Sequence, residues 1–326
     1  MWHRQIAGTG LIVSPLCLGT VHYGTAMEEA ACFAQLDQFF QAGGNFVDTA
    51  HVYGDWVPGP RGRSESVIGR WMKHSGMRAV VSTKGAHPRL EAMDKPRVTE
   101  KDILQDVQES LENLGTDAVD LYFLHRDDES VPVGEIIDWM EALTVSGLIR
   151  YYGCSNWTLG RIRQAADWAV KKGAKGFVSN QLMWSLADVR RFQLGDPTML
   201  GMDAETYAYH AQSGLFAMAY MAAAKGYFPR LLAGEALPPE IKALYDGENN
   251  RRIAAELRRL QEESGLDAAA LSLAYLMNHP FDSVPIASFE DEAQLSAAMA
   301  ACQEKPDSAV VEALHRMKQF VMLEGI

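Results

Sequence analysis

Eight short apolar runs separated by helix-like stretches constrain this 326-residue chain more than any other feature. They are Leu16–Gly19, Asn45–Thr49, Ala79–Thr83, Val119–Leu124, Tyr151–Cys154, Gly176–Ser179, Leu215–Tyr220 and Ser283–Ala287. Runs this short and rich in apolar residues read as strands, and intervening helices rather than tight turns make the strands parallel. Between them, Ala30–Ala42 carries Phe33, Leu36 and Phe40 at helical spacing and stops at Gly43-Gly44. Thr99 is placed to cap Glu100–Leu114, with Asp102 in the first turn and Gly115 beyond the last. Val133–Ser146 and Leu159–Lys172 end before Gly147 and Gly173, and Met202–Gln212 and Asn250–Ser264 supply later helices.

Eight such alternations predict a closed (β/α)₈ barrel, a TIM barrel, spanning residues 1–326. The alternative is an open doubly wound sheet, but its Gly-x-Gly-x-x-Gly fingerprint is missing from the first loop, Gly19–Gly24. Gly8-Thr9-Gly10 between two short runs predicts an N-terminal β-hairpin plugging the barrel's bottom. Two connections are long, Met183–Gly214 after the sixth strand and Ala222–Phe281 after the seventh. Pro238-Pro239 and Gly247 punctuate the second. Such lengths mark functional loops or extra helices.

Lys and Arg number 30 against 42 Asp and Glu, a net charge of −12 that argues against nucleic acid or an anionic membrane as partner. No window approaches the ~20 apolar residues of a membrane helix, and the first residues lack a signal-peptide core. Cys17, Cys32, Cys154 and Cys302 are scattered, with no Cys-x-x-Cys pair, so the expectation is reduced thiols, no metal and a cytoplasmic enzyme. The sequence specifies no oligomeric state.

In a barrel of this kind chemistry belongs at the carboxyl ends of the strands. There the chain places Asp48, Lys84, His125, Ser155-Asn156, Asn180-Gln181 and Tyr220, with Tyr53 five residues beyond Asp48. Singly, each has an ordinary reading: a capping acid, a packed phenol, a solvated lysine, a core imidazole. Jointly, an acid, a phenol, an amine and an imidazole converge on one mouth from adjacent strands.

Asp48-Thr49-Ala50-x-x-Tyr53-Gly54, the strand-end Lys84, Asp120-Leu121-Tyr122-x-x-His125, Gly153-x-Ser155-Asn156 and Asn180-Gln181 resemble the aldo-keto reductase family. The resemblance begins at Leu16-x-Leu18-Gly19-Thr20 and runs to the last strand. It implies a barrel that binds an extended nicotinamide dinucleotide without a Rossmann fold and passes hydride between a carbonyl and an alcohol. The family's tetrad falls on Asp48, Tyr53, Lys84 and His125. Chemistry supports those roles. A phenol titrates near pH 10, and a neighbouring ammonium is expected to lower that value, making Tyr53 an acid for reduction and a base for oxidation. Asp48 can pair with Lys84, and His125 can hydrogen-bond the substrate's carbonyl oxygen.

By the same resemblance Ser155, Asn156 and Gln181 hold the nicotinamide carboxamide, Tyr220 stacks on the ring, and Gly19 and Thr20 lie on the cofactor's other side. Met221 replaces the usual serine, which removes a hydroxyl but leaves backbone N–H groups at Met221 and Ala222 for the pyrophosphate. Lys225 is a further pyrophosphate candidate; otherwise it is a solvated lysine. Family members that use NADP place basic residues after the last strand, whereas this chain reads Ala287-Ser288-Phe289-Glu290-Asp291-Glu292-Ala293-Gln294, and Ala298 stands near a usual adenine-contacting Asn. A carboxylate disfavours a 2′-phosphate but can accept from a ribose 2′-hydroxyl. With Ala287, Ser288, Glu290 and Gln294 as the contacts, NAD(H) is favoured over NADP(H). An ordinary acidic first helical turn is the alternative.

For the substrate, the candidates are Tyr23, Trp56, His125, Arg126, Asp127 and Trp157. Trp56 with Arg126 or Asp127 suits a polyhydroxylated ligand; alternatively Arg126 and Asp127 form a structural ion pair. Asp55, Arg63, His22, His51, His87, Trp184 and Tyr227 are further rim candidates. Leu124-His125-Arg126-Asp127-Asp128 and Ser155-Asn156-Trp157-Thr158 resemble a bacterial branch of sugar-related oxidoreductases, which implies a carbohydrate or polyol carbonyl/alcohol substrate. Small aromatic or aliphatic aldehydes and ketones are the alternative. Two readings lie outside this chemistry: a Schiff base on Lys84, and a non-catalytic cofactor-sensing subunit. The complete tetrad argues against both.

Overall fold

The computed structural model describes residues 1–318. A hairpin of β1 (Arg4–Gln5) and β2 (Ile12–Val13) precedes a closed barrel of eight parallel strands. These are β3 (Cys17–Gly19), β4 (Phe46–Asp48), β5 (Val80–Gly85), β6 (Val119–Leu124), β7 (Ile149–Ser155), β8 (Ser179–Met183), β9 (Phe216–Tyr220) and β10 (Ser283–Ala287), the last pairing with β3. The helices are α1 (Glu29–Gln41), α2 (Arg63–Ser75), α3 (Glu100–Leu114), α4 (Val133–Val145), α5 (Leu159–Lys172) and α6 (Ala204–Ser213). Then come α7 (Tyr227–Leu232), α8 (Pro239–Tyr245), α9 (Glu248–Ser264), α10 (Ala268–Met277), α11 (Glu292–Ala301) and α12 (Ser308–Met317). No helix among the described residues is long and apolar enough to cross a membrane.

The barrel interior divides along its axis. Towards the strands' amino ends, Phe46, Leu121, Phe123, Phe216 and Val284 cluster with Ile6, Leu11 and Val13, so the hairpin does close the bottom. This seals one end with apolar surface and leaves the polar residues of the strands at the other. Gly153 makes the filling possible: a Cβ there would lie 2.5 Å from the Phe123 ring and 2.4 Å from the Ser179 carbonyl oxygen. The parallel register puts Asp48 of β4 beside Ser82 of β5, and strand alternation returns Lys84 to the same face two residues later.

Three elements depart from the sequence expectation. The sixth barrel strand is Ser179–Met183 rather than Gly176–Ser179, because Gly176 turns with φ +73° and the polar Asn180 and Gln181 are satisfied inside the barrel. Helix α2 falls outside the helical stretches expected from the pattern; it starts from Gly62 and buries Val67, Ile68 and Trp71. The long connection after β9 carries α7 to α10, and α10 is buried at every position but Ala269, so it shows no amphipathic period. All four cysteines are buried free thiols.

Candidate active site

The carboxyl ends of β4 and β5 carry a buried charge cluster. The Lys84 ammonium donates to Asp48 Oδ2 at 2.7 Å, to the Thr49 carbonyl at 2.6 Å and to the Tyr53 hydroxyl at 3.4 Å. Asp48 Oδ1 accepts from Ser82 Oγ at 2.6 Å and Gln181 Nε2 at 2.8 Å. Lys84 and Asp48 side chains are only 1% and 2% exposed, so neither charge is solvated and each depends on the other. Burial pulls the lysine pKa down, but Asp48 and the Tyr53 oxygen outweigh it and the ammonium is held charged.

Tyr53 is half-buried, its ring 4.8 Å from the Lys84 nitrogen. Its pKa is raised, not lowered as the sequence suggested: desolvation and the Asp48 carboxylate outweigh the pull of Lys84. The phenol therefore keeps its proton at neutral pH, and the ammonium is placed to stabilise the oxygen once that proton leaves. His125 ends the β6 face of the site, its ring 6.2 Å from Tyr53 and 4.8 Å from His87. Burial first, then His87, Arg126 and Lys84, push its pKa well below the ordinary imidazole value, so the ring is neutral. Its Nδ1 is buried without a hydrogen-bond partner among the described residues. A neutral imidazole can then donate one N–H towards a carbonyl oxygen.

Behind this cluster lies a layer the sequence reading missed. Asp106 of α3 accepts from the Ala86 N–H at 2.8 Å and from both Arg97 terminal nitrogens at 2.9 and 2.7 Å. Arg97 also donates to the His87 carbonyl, and His51 Nε2 sits 2.7 Å from Glu109 while its N–H bonds the Lys84 carbonyl. The turns following β4 and β5 are thus tied to one helix. A signal existed: Asp106 falls on the buried stripe of α3 with Ile103, Val107, Ser110 and Leu114.

On the other side of the mouth, Asn156 has φ +59°; its Nδ2 donates to the His125 carbonyl and Ser155 Oγ, and its Oδ1 accepts from the Tyr220 hydroxyl at 2.7 Å. Ser155, Asn156 and Tyr220 are therefore brought together, and Gln181 turns to Asp48. Beyond β9, Met221, Ala224 and Lys225 all have positive φ, with Ala222 buried between and Lys225 exposed. Every described non-glycine residue with positive φ, these three plus Ala86 and Asn156, lies just past a strand's carboxyl end. Each such conformation costs roughly 1–3 kcal/mol and is held by its surroundings.

Gly19 meets the start of the last loop: Ser288 Oγ donates to its carbonyl at 2.9 Å, and a Cβ on Gly19 would lie 2.8 Å from that hydroxyl oxygen. Thr20, by contrast, is fully buried and bonds the Asp48 carbonyl and Ser64, away from the mouth. Ala287 and Ala298 are buried. Asp291 caps α11, so ordinary helix capping accounts for it, while Glu290 and Gln294 stay exposed and Gln294 Oε1 accepts the Glu290 N–H.

Among the substrate candidates only Trp56 and His125 flank Tyr53. The Trp56 ring is 6.4 Å from the phenol and half exposed. Arg126 and Asp127 do not pair with each other, because adjacent side chains point apart. Arg126 binds Asp196 and Thr198, and Asp127 is held by two nitrogens of Arg161. Neither is left free for a ligand. Trp157 is buried with its N–H on the Arg126 carbonyl, and Tyr23 is buried under α1 with its hydroxyl on Gln35. Of the further rim candidates, Trp184 and Tyr227 are buried as well.

Residues 15–318 match the model of the Aldo/keto reductase family. The chain is 28% identical to an uncharacterized oxidoreductase, YrpG, of Bacillus subtilis (strain 168), over 97% of this chain and 95% of that one. It is 28% identical to an aryl-alcohol dehydrogenase [NADP(+)] of Phanerodontia chrysosporium, over 84% of this chain and 75% of the relative. It is 27% identical to Protein tas of Escherichia coli (strain K12), over 86% and 87%. Among solved structures, the thermostable aldo-keto reductase Tm1743, in complex with the inhibitor epalrestat, superposes with a TM-score of 0.71 at 20% identity, covering 98% of this chain and all of that one.

Proposed function

The chain belongs to the aldo/keto reductase family, whose activity is nicotinamide-dependent reduction of small carbonyl compounds, and from that premise we propose that Tyr53 is its proton donor, Lys84 and Asp48 tune that donor, and His125 orients the carbonyl. The observation that carries this reading is the Lys84 ammonium, buried between the Asp48 carboxylate and the Tyr53 hydroxyl. Such a cation has little use in a structural core but stabilises a phenolate as it forms. The residues also fit a nicotinamide dinucleotide: Gly19 lets Ser288 of the last loop close onto β3, and the strained left-handed turn at Met221–Lys225 is of the kind whose backbone N–H groups bind anions. Ser155, Asn156 and Tyr220 would hold the nicotinamide end, Met221, Ala222 and Lys225 the pyrophosphate, and Ser288, Glu290 and Gln294 the adenosine end. When bound, the cofactor supplies hydride to the carbonyl carbon.

The protein's own part follows from its geometry. The neutral His125 imidazole donates an N–H to the carbonyl oxygen and fixes its direction. Tyr53 passes its proton to that oxygen as negative charge develops, giving the alcohol, and Lys84 stabilises the phenolate left behind. Reprotonation of Tyr53 from solvent resets the site. In the oxidative direction the same phenolate takes the alcohol's proton.

We further propose a polyhydroxylated carbonyl compound as substrate and NAD(H) as cofactor. Trp56 offers a half-exposed aromatic face beside Tyr53 for a C–H face, and Glu290 offers an exposed carboxylate for a ribose 2′-hydroxyl. An aromatic aldehyde is the second reading; the name of the Phanerodontia relative and the same Trp56 face favour it. The test is Tyr53→Phe, expected to lower turnover ~10²–10⁴-fold while leaving nicotinamide binding, read by quenching of intrinsic fluorescence, unchanged. Retained turnover would remove Tyr53 from the role of proton donor.

A further inference from the structure

Between the turn after β4 and the turn after β5 lies a crevice of about 210 Å³. Its polar walls are His51, Asp55 and Arg61 on one side and His87, Arg89 and Glu91 on the other, and the Arg97–Asp106 ion pair, neutral as a whole, completes the lining. Tyr53, Lys84 and His125 do not line it, yet His87 stands at its edge with its ring 4.8 Å from that of His125. The crevice is thus one ring contact away from the carbonyl site.

Two of the lining residues carry an acceptor without a donor of its own. Asp55 Oδ1 is buried and has no hydrogen-bond partner among the described residues; the nearest cation, Arg61, is 3.9 Å from the other oxygen and 43% exposed. Leaving a buried carboxylate oxygen unpaired is costly, and desolvation raises the Asp55 pKa accordingly. His87 Nδ1 lies 2.7 Å from the Pro88 carbonyl. A carbonyl cannot donate, so Nδ1 carries the proton and Nε2 is left as a lone-pair acceptor. Burial and the Arg126 charge keep that ring neutral, with a pKa lowered to about 4. Arg97 is absorbed by Asp102 and Asp106, which leaves the Arg61 and Arg89 side chains as the crevice's donors.

The ligand chemistry follows by elimination. An ammonium would satisfy Asp55 and Glu91 but meet two guanidinium groups. A phosphate or carboxylate would satisfy the arginines but meet two carboxylates. A hydroxyl both donates and accepts, so a row of hydroxyls satisfies every wall group without bringing a charge. At ~30 Å³ for a water-sized group, the space takes several hydroxymethylene units.

We propose that this crevice receives the hydroxylated tail of the substrate whose carbonyl lies at Tyr53 and His125, with Asp55 and His87 accepting from tail hydroxyls and Arg61 and Arg89 donating to them. This rests on the polyhydroxylated-substrate reading above, and its test separates the two. The wild-type enzyme is first compared on erythrose and butanal, which share a carbonyl and a four-carbon length. Asp55→Ala and Arg89→Ala are then compared with wild type on xylose, erythrose and 4-nitrobenzaldehyde, reading kcat and KM separately.

The expected result is a preference for erythrose over butanal, and in each variant a loss of about tenfold or more in kcat/KM on xylose and erythrose, through KM. On 4-nitrobenzaldehyde, which has no tail, kcat/KM should change less than twofold. No gain from hydroxyls in the wild type defeats the polyhydroxylated reading and the crevice with it. A hydroxyl preference that both variants leave intact defeats the crevice alone. Equal losses on all three substrates in both variants would mean these side chains support the fold, and would also overturn the proposal.

Discussion

On the β4–β6 side of the mouth, Asp48, Ser82, Lys84 and the incoming Gln181 are buried and bonded to one another, and α3 ties down the turns around them. On the β9–β10 side, Lys225, Ser288, Glu290 and Gln294 are exposed, and what is fixed there is mainly backbone, in the left-handed turn at Met221–Lys225. The two sides meet different demands for precision. A proton donor must be positioned and electrostatically tuned, which needs low dielectric and paired charges. A long dinucleotide can be gripped by many modest contacts, and its exposed end then needs only complementary charge.

The largest effect is expected at Lys84. Lys84→Met removes the cation and leaves Asp48 buried with only Ser82 and Gln181 as partners. Stranding one charge of a buried pair costs ~3–5 kcal/mol, so the urea midpoint should fall substantially while turnover drops by orders of magnitude. A variant that loses activity with no loss of stability would mean the buried side is less interdependent than its hydrogen bonds suggest. No variant on the β9–β10 side should touch stability to this degree.

A smaller effect of the buried side is expected in the pH profile. Tyr53 holds its proton above the usual phenol value, and in the role proposed for it reduction uses the protonated phenol. The kcat/KM for reduction should therefore stay level from about pH 6 to pH 9 and fall only above the phenol's ordinary pKa of about 10. Oxidation, which uses the phenolate, should rise with pH over the same range. His125 is already neutral well below its usual pKa, so no acid limb is expected between about pH 6 and pH 7 from that ring. A reduction profile falling with a midpoint near neutrality would mean Lys84 dominates the desolvation that now raises the phenol.

The two sides were also unequally legible in the sequence. Asp48, Tyr53, Lys84 and His125 stand at or near strand ends in a spacing that the barrel converts into proximity, so their convergence on one mouth was legible. Their electrostatics could not. The net direction of the Tyr53 shift depends on how much water is excluded, which no spacing reveals. Arg126 and Asp127 misled because sequence neighbours at a strand end face opposite ways and found Asp196 and Arg161, 70 and 34 residues further on. Asp106 and Arg97 were passed over because they act through backbone groups of other turns. Asn180 and Gln181 disguised the sixth strand, since their polarity reads as a loop until Gln181 is seen to bond Asp48 and Asn180 the His210 ring.

The smallest expected effect lies on the exposed side, at Glu290. Capping explains Asp291 but gives the Glu290 carboxylate no part in holding the fold, since that side chain is exposed and only the residue's N–H is engaged, by Gln294. If that carboxylate selects against a 2′-phosphate, Glu290→Arg should shift the ratio of NADPH to NADH affinity upward by about tenfold, on the order of 1 kcal/mol for an exposed charge change near a dianion. Turnover at saturating cofactor and the thermal midpoint should stay at wild-type values, because nothing buried has changed. Fluorescence titration of both proteins with NADH and NADPH measures the ratio directly, and the shift should shrink in high salt as exposed charges are screened. An unchanged ratio would assign cofactor choice to Ser288 and the backbone around Gly19, and would make the β10 loop as indifferent to side-chain charge as the Met221–Lys225 turn.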